Sequence, residues 1–175
     1  MFLKHDWPGY EGAFKHSKLK THWPSPVITF ETEYRALAEL HAQFPDNIAT
    51  PVALVKSGRN RVSGYITEYI DGLPLYLLEE KLDFERMGIA EKIALYESIL
   101  FLLRDIGGAG LAHGDPGNPG NIVIPKGGGV KLIDPMPDGQ AHDVDHDTML
   151  DLAETIFDLR RIQVEGMLRD AHRES

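Results

Sequence analysis

The sequence predicts an α+β fold, and three observations predict it. Two segments, 31–43 and 84–106, carry apolar residues at steps of three and four. Short β-branched runs come in pairs after each of them, and a Gly/Pro-rich loop separates the second helix from the second pair.

The elements follow in order. The first 30 residues are rich in Pro, Gly, Trp and His and read as irregular, with Trp7-Pro8-Gly9 and Trp23-Pro24-Ser25-Pro26 as breakers. Tyr34, Leu37, Ala38 and Leu40 then recur at helical spacing, and Pro45-Asp46-Asn47 ends that helix. Ile48 to Val55 and Gly64 to Ile70 read as a strand pair turned by Lys56-Ser57-Gly58-Arg59-Asn60, and Asp71-Gly72 as a turn. Ile89, Ile93, Tyr96, Leu100 and Leu103 form one face of a long helix capped at Gly107-Gly108. Ile122 to Ile124 and Val130 to Ile133 make a second hairpin around Lys126-Gly127-Gly128-Gly129. A last helix runs from about Thr148 to Arg169, with Met149, Leu152, Ile156, Leu159 and Ile162 on one face.

Composition bounds the function. At 175 residues, 42% apolar and 26% charged, the chain can bury a core. Eighteen basic against 27 acidic side chains give a net charge of −9, which argues against nucleic acid or an anionic membrane as partner. Without cysteine there is no disulfide, thiolate metal site or Cys nucleophile. No apolar run reaches the roughly 18 residues of a membrane span, and Met1-Phe2-Leu3-Lys4-His5-Asp6 lacks the apolar core of a signal peptide. The expectation is a cytoplasmic protein, with secretion by other machinery left open.

The chemistry concentrates in His113-Gly114-Asp115-Pro116-Gly117-Asn118-Pro119-Gly120-Asn121, which leads into one short strand and then a second that ends in Asp134. An Asp and an Asn in a tight loop, with another Asp after the next strand, is the set that phosphoryl transfer uses. One carboxylate orients and deprotonates a hydroxyl, while an amide oxygen and a second carboxylate hold Mg²⁺ against the phosphates of ATP. Asp115 is the candidate base; Asn121 and Asp134 are the candidate metal ligands.

These residues, in this order, resemble the protein-kinase-like superfamily, most closely its aminoglycoside-phosphotransferase and choline-kinase branch, over roughly residues 31 to 157. The branch carries a His-Gly-Asp-x-x-x-x-Asn loop and then a strand pair closing on Ile-Asp, matched here by His113, Gly114, Asp115, Asn121 and Ile133-Asp134-Pro135. Thr67-Glu68-Tyr69-Ile70-Asp71-Gly72-Leu73-Pro74-Leu75 is similar to the linker between the family's lobes. Glu33-Tyr34-Arg35-Ala36-Leu37 is similar to its N-lobe helix.

The resemblance implies a minimal bilobal protein-kinase-like fold. Residues 1–70 would form a small β-rich N-lobe with one helix, and 71–175 a mostly helical C-lobe. It implies ATP and Mg²⁺ as cofactors. It also implies a lysine on the phosphates, paired with Glu33, and adenine held by the linker at Glu68, Tyr69 and Ile70. Lys15, Lys18 and Lys20 all precede the helix; Lys15, in Ala13-Phe14-Lys15, has the most strand-like setting.

The chain departs from the family pattern in several places. Asp115 to Asn121 is one residue longer than usual, and Asn118 comes too early to be the metal ligand. Pro135 stands where protein kinases have Phe. Few residues precede Lys15, so Gly9-Tyr10-Glu11-Gly12 is at most a reduced phosphate lid. Only 41 residues follow Asp134, which points to an open acceptor surface or one completed by a partner chain. A protein Ser/Thr acceptor is therefore placed slightly ahead of a small-molecule alcohol of the aminoglycoside, choline or sugar type. An inactive scaffold of the same fold, and transfer of the nucleotide itself, are the competing readings.

Two further features take plainer readings. His142, Asp143, Asp145, His146 and Asp147 match no zinc or calcium spacing and suit the N-terminus of the last helix, with Asp145 or Asp151 as ties for the catalytic loop. Trp7 and Trp23 suit a core or a lid rather than base stacking.

Overall fold

The structure is a computed structural model. It describes residues 2–7, 10–16, 29–58, 61–79, 86–136 and 146–155, together with Phe157, Leu159 and Val164, and describes their side chains from Thr29 onward except at Arg61, Glu79, His146, Asp147, Thr148 and Thr155. The fold is α+β, with two small antiparallel sheets and four helices among the described residues.

The first sheet contains β1 (Phe2–Trp7), β2 (Tyr10–His16), β3 (Pro51–Ser57) and β4 (Arg61–Glu68) in the order β1-β2-β4-β3. Two strands therefore occupy the segment expected to be irregular, with Trp7 opposite Tyr10 across their hairpin. The breakers at Pro8 and Gly9 fall between strands that their presence does not prevent. Tyr10, Glu11 and Gly12 lie inside β2 rather than in a phosphate lid. β3 and β4 form the predicted hairpin, displaced by two or three residues and kinked by register shifts at Pro51/Ala53 and Val55/Lys56.

Helix α1 (Phe30–Gln43) starts where its capping chemistry starts. Thr29 and Thr32 cap each other: the Thr32 N–H donates to Thr29 Oγ1 at 3.2 Å, and the Thr29 N–H to Thr32 Oγ1 at 3.0 Å. The helix buries Glu33, Leu37 and Leu40 at steps of four and three. Residues after α1 tie it to the second sheet, formed by β5 (Gly72–Pro74), β6 (Ile122–Pro125) and β7 (Lys131–Leu132). The Leu132 N–H donates to Asn47 O at 2.7 Å and the Ala49 N–H to Leu132 O at 3.1 Å, which pairs Ile48 with Leu132 as a parallel bridge.

Gly72 belongs to β5, not to a turn. A Cβ at Gly72 would sit 2.4 Å from the Ile124 carbonyl oxygen, so only glycine lets β5 approach β6 this closely. Helix α2 (Leu75–Glu79) follows at once.

Helix α3 (Ile89–Gly108) begins five residues later than its apolar spacing predicts, because extended Gly88 interrupts the pattern and is its N-cap; Glu91 accepts the Gly88 N–H at 2.8 Å. Its C-terminus is closed by Gly110 at φ +73°, with Gly110 N–H to Gly107 O at 2.8 Å and Leu111 N–H to Ile106 O at 3.1 Å. This paired 5→2 and 6→1 closure needs a left-handed residue two positions past the predicted glycines. Helix α3 supplies the centre of the core: Tyr96, Ile99, Leu100, Leu102, Leu103 and Ile106 are buried.

Helix α4 (His146–Thr155) packs on α3. The Tyr96 hydroxyl donates to Met149 O at 3.1 Å, and its ring meets Phe157 edge-on at 5.6 Å. Burial pushes the Tyr96 phenol well above its usual range, so it stays a donor. The described part of this helix ends at Thr155, beyond which the Leu159 N–H turns back to Ala153 O at 3.0 Å; most of the predicted remainder to Arg169 lies outside the described residues. Ile156 and Ile162 lie outside the described residues.

Gly72→Ala should separate β5 from β6 and lower the unfolding free energy by roughly 1–3 kcal/mol, the usual penalty for forcing an extra methyl into a packed contact. Urea denaturation checks this; an unchanged midpoint would show that the two strands part without cost.

Candidate active site

The loop after α3 is held by polar contacts rather than by regular structure. His113 is buried, and its Nε2 lies 2.9 Å from the Ile133 carbonyl oxygen. A carbonyl only accepts, so Nε2 carries the proton, and buried Nδ1 has no hydrogen-bond partner. Burial pulls the imidazole down to about 4, against the opposing pull of the Ile133 carbonyl and Asp115. His113 is therefore neutral at pH 7. Its own carbonyl accepts the Met136 N–H at 2.8 Å. The loop is thus joined to the segment after β7 on both sides of Asp134.

Asn121 makes the second connection. It ends a 3₁₀ turn (Pro119–Asn121) and is buried. Its Nδ2 donates to the Asp115 main-chain oxygen at 3.1 Å and to Asp115 Oδ2 at 2.9 Å. Both amide hydrogens are therefore committed to Asp115, and Asn121 Oδ1 is the atom that can turn to a cation. The Asn121 carbonyl accepts the Ile133 N–H at 2.9 Å. Asp115 itself is half-buried.

Asp134 is the one non-glycine residue at positive φ among the described residues, at +59°. That conformation costs an L-residue roughly 1–2 kcal/mol, a cost met here by the flanking hydrogen bonds at Ile133 and Met136. Asp134 Oδ1 accepts from the Tyr65 hydroxyl at 3.4 Å. Tyr65 is fully buried on β4, edge-on to Phe30 at 6.3 Å and to Tyr34 at 6.1 Å. Burial, and then the Glu33 carboxylate, push its phenol far above its usual range, so it remains a donor. Tyr65 thereby connects α1, the first sheet and Asp134.

Of the other predicted residues, Glu33 is buried on the inner face of α1. Lys15 lies on β2 directly opposite Tyr65 in the sheet register. Lys18 and Lys20 lie outside the described residues. Glu68 ends β4: its N–H donates to Thr50 O at 2.9 Å and its carboxylate is ion-paired with Lys131. Burial would raise the Glu68 carboxyl, but hydrogen bonds from Lys131 and Thr50 outweigh it and hold the group below its usual range. Tyr69 is partly exposed and Ile70 packs against the core. Asp71, next in the linker, pairs with Lys126 at 2.9 Å. Glu68 and Asp71 thus pin the linker to the β6–β7 hairpin on both sides of Tyr69 and Ile70.

The structure bonds Asn121 to Asp115 and, through the Ile133 N–H, to the residue before Asp134; Tyr65 meets Asp134, with Glu33 near it and Lys15 paired with it in the sheet register. Sequence reasoning missed Tyr65 and Lys131, which no local pattern marks: each matters for what it meets across the fold. His142, Asp143 and Asp145 lie outside the described residues, and His146 and Asp147 open α4. Among the described residues no group of three or more His, Cys, Asp or Glu could hold a metal ion, so a cation site here would rest on Asn121 and Asp134 with oxygens from its ligand.

The neutral state of His113 gives a pH signature. Between its ordinary value and about 4 the unfolded chain binds a proton that the folded chain does not, so stability falls as the pH falls through that window. Relative to His113→Gln, the natural chain should lose of the order of 3 kcal/mol of its advantage between pH 7 and pH 4. Urea titrations at both pH values measure this, and a constant difference would mean that His113 binds protons equally in the folded and unfolded chain. No protein-family model matches the chain, and no curated protein matches it.

Proposed function

We propose that this protein is an ATP-dependent phosphotransferase with a minimal kinase-like architecture, an N-terminal lobe around the first sheet and a C-terminal lobe around α3. The observation that carries the reading is Asn121, whose amide grips Asp115 while its carbonyl grips the residue before Asp134. A base and two oxygen donors for Mg²⁺ are thereby fixed relative to one another, which is what phosphoryl transfer requires of a protein.

The donor set fits the cofactor. Asn121 Oδ1 and the Asp134 carboxylate are hard oxygens of the kind Mg²⁺ prefers, and both sit on a rigid support. Mg²⁺-ATP, when bound, supplies the electrophilic γ-phosphate. Asp115 orients the acceptor hydroxyl and takes its proton as the new oxygen–phosphorus bond forms. The bond to the bridging oxygen breaks in the same step, and its electron pair leaves with ADP. Lys15, with Lys18 as the alternative, is assigned to the phosphates and Glu33 to the orientation of that lysine. The linker at Glu68, Tyr69 and Ile70 is assigned to adenine through its backbone. For Glu68 this falls to the carbonyl, since its N–H is already committed to Thr50. The acceptor is a hydroxyl compound, a protein Ser or Thr ahead of a small-molecule alcohol.

One observation favours a second reading, a kinase-like scaffold without transfer. Trp7 and Tyr10 pair directly, so the β1–β2 hairpin leaves two residues between its strands and no length for a glycine-rich lid over the phosphates.

Thermal melting with millimolar Mg²⁺-ATP, followed by phosphate release, separates the readings. A ligand at about 100 times its dissociation constant stabilises by roughly 2.7 kcal/mol, which in a chain of this size raises Tm by roughly 5–10 °C. The rise should require Mg²⁺ and vanish in Asp134→Ala. Asp115→Asn should keep the rise and lose roughly 10²–10⁴-fold in turnover. Binding without any release in the natural chain would favour the scaffold; no binding at all would defeat the nucleotide site.

A further inference from the structure

We infer that Asn118, one turn before the metal-binding position, is a positioning residue for Asp115; the inference rests on the phosphotransferase reading above. Asn118 Nδ2 donates to Asp115 Oδ2 at 3.4 Å, the same oxygen that receives Asn121 Nδ2 at 2.9 Å. Two amides from one loop converge on one carboxylate oxygen. Together they restrain rotation of the carboxylate and present Oδ1 as the oxygen that meets the hydroxyl.

The orientation of the Asn118 amide is dictated by its surroundings. Its Oδ1 accepts the Gly120 N–H at 3.0 Å, and the Asn118 main-chain oxygen accepts the Asn121 N–H at 2.9 Å. A donor on one side and a carboxylate on the other leave a single assignment of oxygen and nitrogen. Gly120 holds the amide in place: a Cβ there would lie 3.0 Å from Asn118 Oδ1 and 3.7 Å from the Tyr76 ring. Pro119 opens the 3₁₀ turn, at a position where its missing N–H costs nothing. The six-residue step from Asp115 to Asn121 is what makes room for this arrangement. Within that step Asn121 bonds to Asp115, and Asn118 makes a second contact with the base.

Asn118 thus has two separable bonds, one that builds the turn and one that restrains Asp115. Asn118→Ser keeps an oxygen for the Gly120 N–H and loses the amide donor without adding a charge beside Asp115. Its unfolding midpoint and its stabilisation by Mg²⁺-ATP should match those of the natural chain. Phosphate release from Mg²⁺-ATP should fall in kcat by roughly 10–100-fold, the usual loss when an orienting partner is removed, with KM for ATP little changed. A purely turn-forming residue would leave kcat intact.

Natural turnover in Asn118→Ser would overturn the inference and leave the phosphotransferase reading standing. A natural chain that neither binds nor hydrolyses Mg²⁺-ATP would overturn both. Should Asn118→Ser fail to fold, the side-chain amide proton resonances of Asn118 in the natural chain decide instead. A shift in Asp115→Ala supports the contact, and unmoved resonances overturn it.

Discussion

The Ile133 peptide carries more of this structure than any apolar contact does. Its N–H donates to the Asn121 carbonyl and its own carbonyl accepts from His113, while three residues on, Met136 donates to the His113 carbonyl. These bonds clamp the irregular loop to the end of β7 and leave Asp134 between fixed points. Its left-handed backbone follows from that clamp, since an L-residue adopts such a conformation only when its neighbours over-determine it. A neutral His113 is a condition of the same clamp. A protonated imidazole would still donate from Nε2, but it would add a charge in a site almost closed to water, which is why burial holds the group so low.

The clamp in turn rests on β7, a strand of two residues that could not stand alone. Leu132 is bonded on one side to Asn47 and Ala49 and pairs on the other with Ile122, while the Asn47 side chain reaches Val130 O at 3.1 Å. The core beneath is made by α3, with Leu132, Ile122 and Ile48 all buried in it. A ridge of apolar side chains from one helix thus positions a hairpin, the hairpin positions Asp134, and Tyr65 connects Asp134 back to α1 and the first sheet. The Lys131–Glu68 pair fixes the linker to the same hairpin. Half-buried and locally supported by Thr50, it is better placed to hold a geometry than the exposed Lys126–Asp71 pair, which water screens.

Much of this was legible in the sequence because it is local. Alternating and helical periodicity located α1, α3 and both predicted hairpins, and the Asp115–Asn121–Asp134 set was visible because turn residues and β-branched runs bracket it. Asn121 was selected over Asn118 by the strand that follows it; in the structure both side-chain amides donate to the Asp115 carboxylate, and Asn121 also to its main chain. What was not legible depends on contacts between distant residues. β1 and β2 form although Pro and Gly punctuate them, because β4 offers a partner edge from residue 64 onward. Gly72 read as a turn because its reason for being glycine, the Ile124 carbonyl, lies 52 positions away. Tyr65 is one aromatic among several until its hydroxyl is seen at Asp134.

Burial separates the site from its scaffold. Among the described residues the buried polar or charged side chains are Glu33, Thr67, His113 and Asn121. Burying an amide, an imidazole or a carboxylate costs free energy that an aliphatic side chain of similar size would not, and folding alone gives no reason to accept it at several neighbouring positions. Three of those four residues border the same place: Asn121 holds Asp115, His113 holds the Ile133 peptide, and Glu33 acts on the tyrosine that reaches Asp134. The cost is concentrated beside Asp115 and Asp134, and the core cluster from Leu37 to Val164 is hydrophobic. These three buried polar side chains border Asp115 and Asp134, at the point where the strained Asp134 backbone also lies.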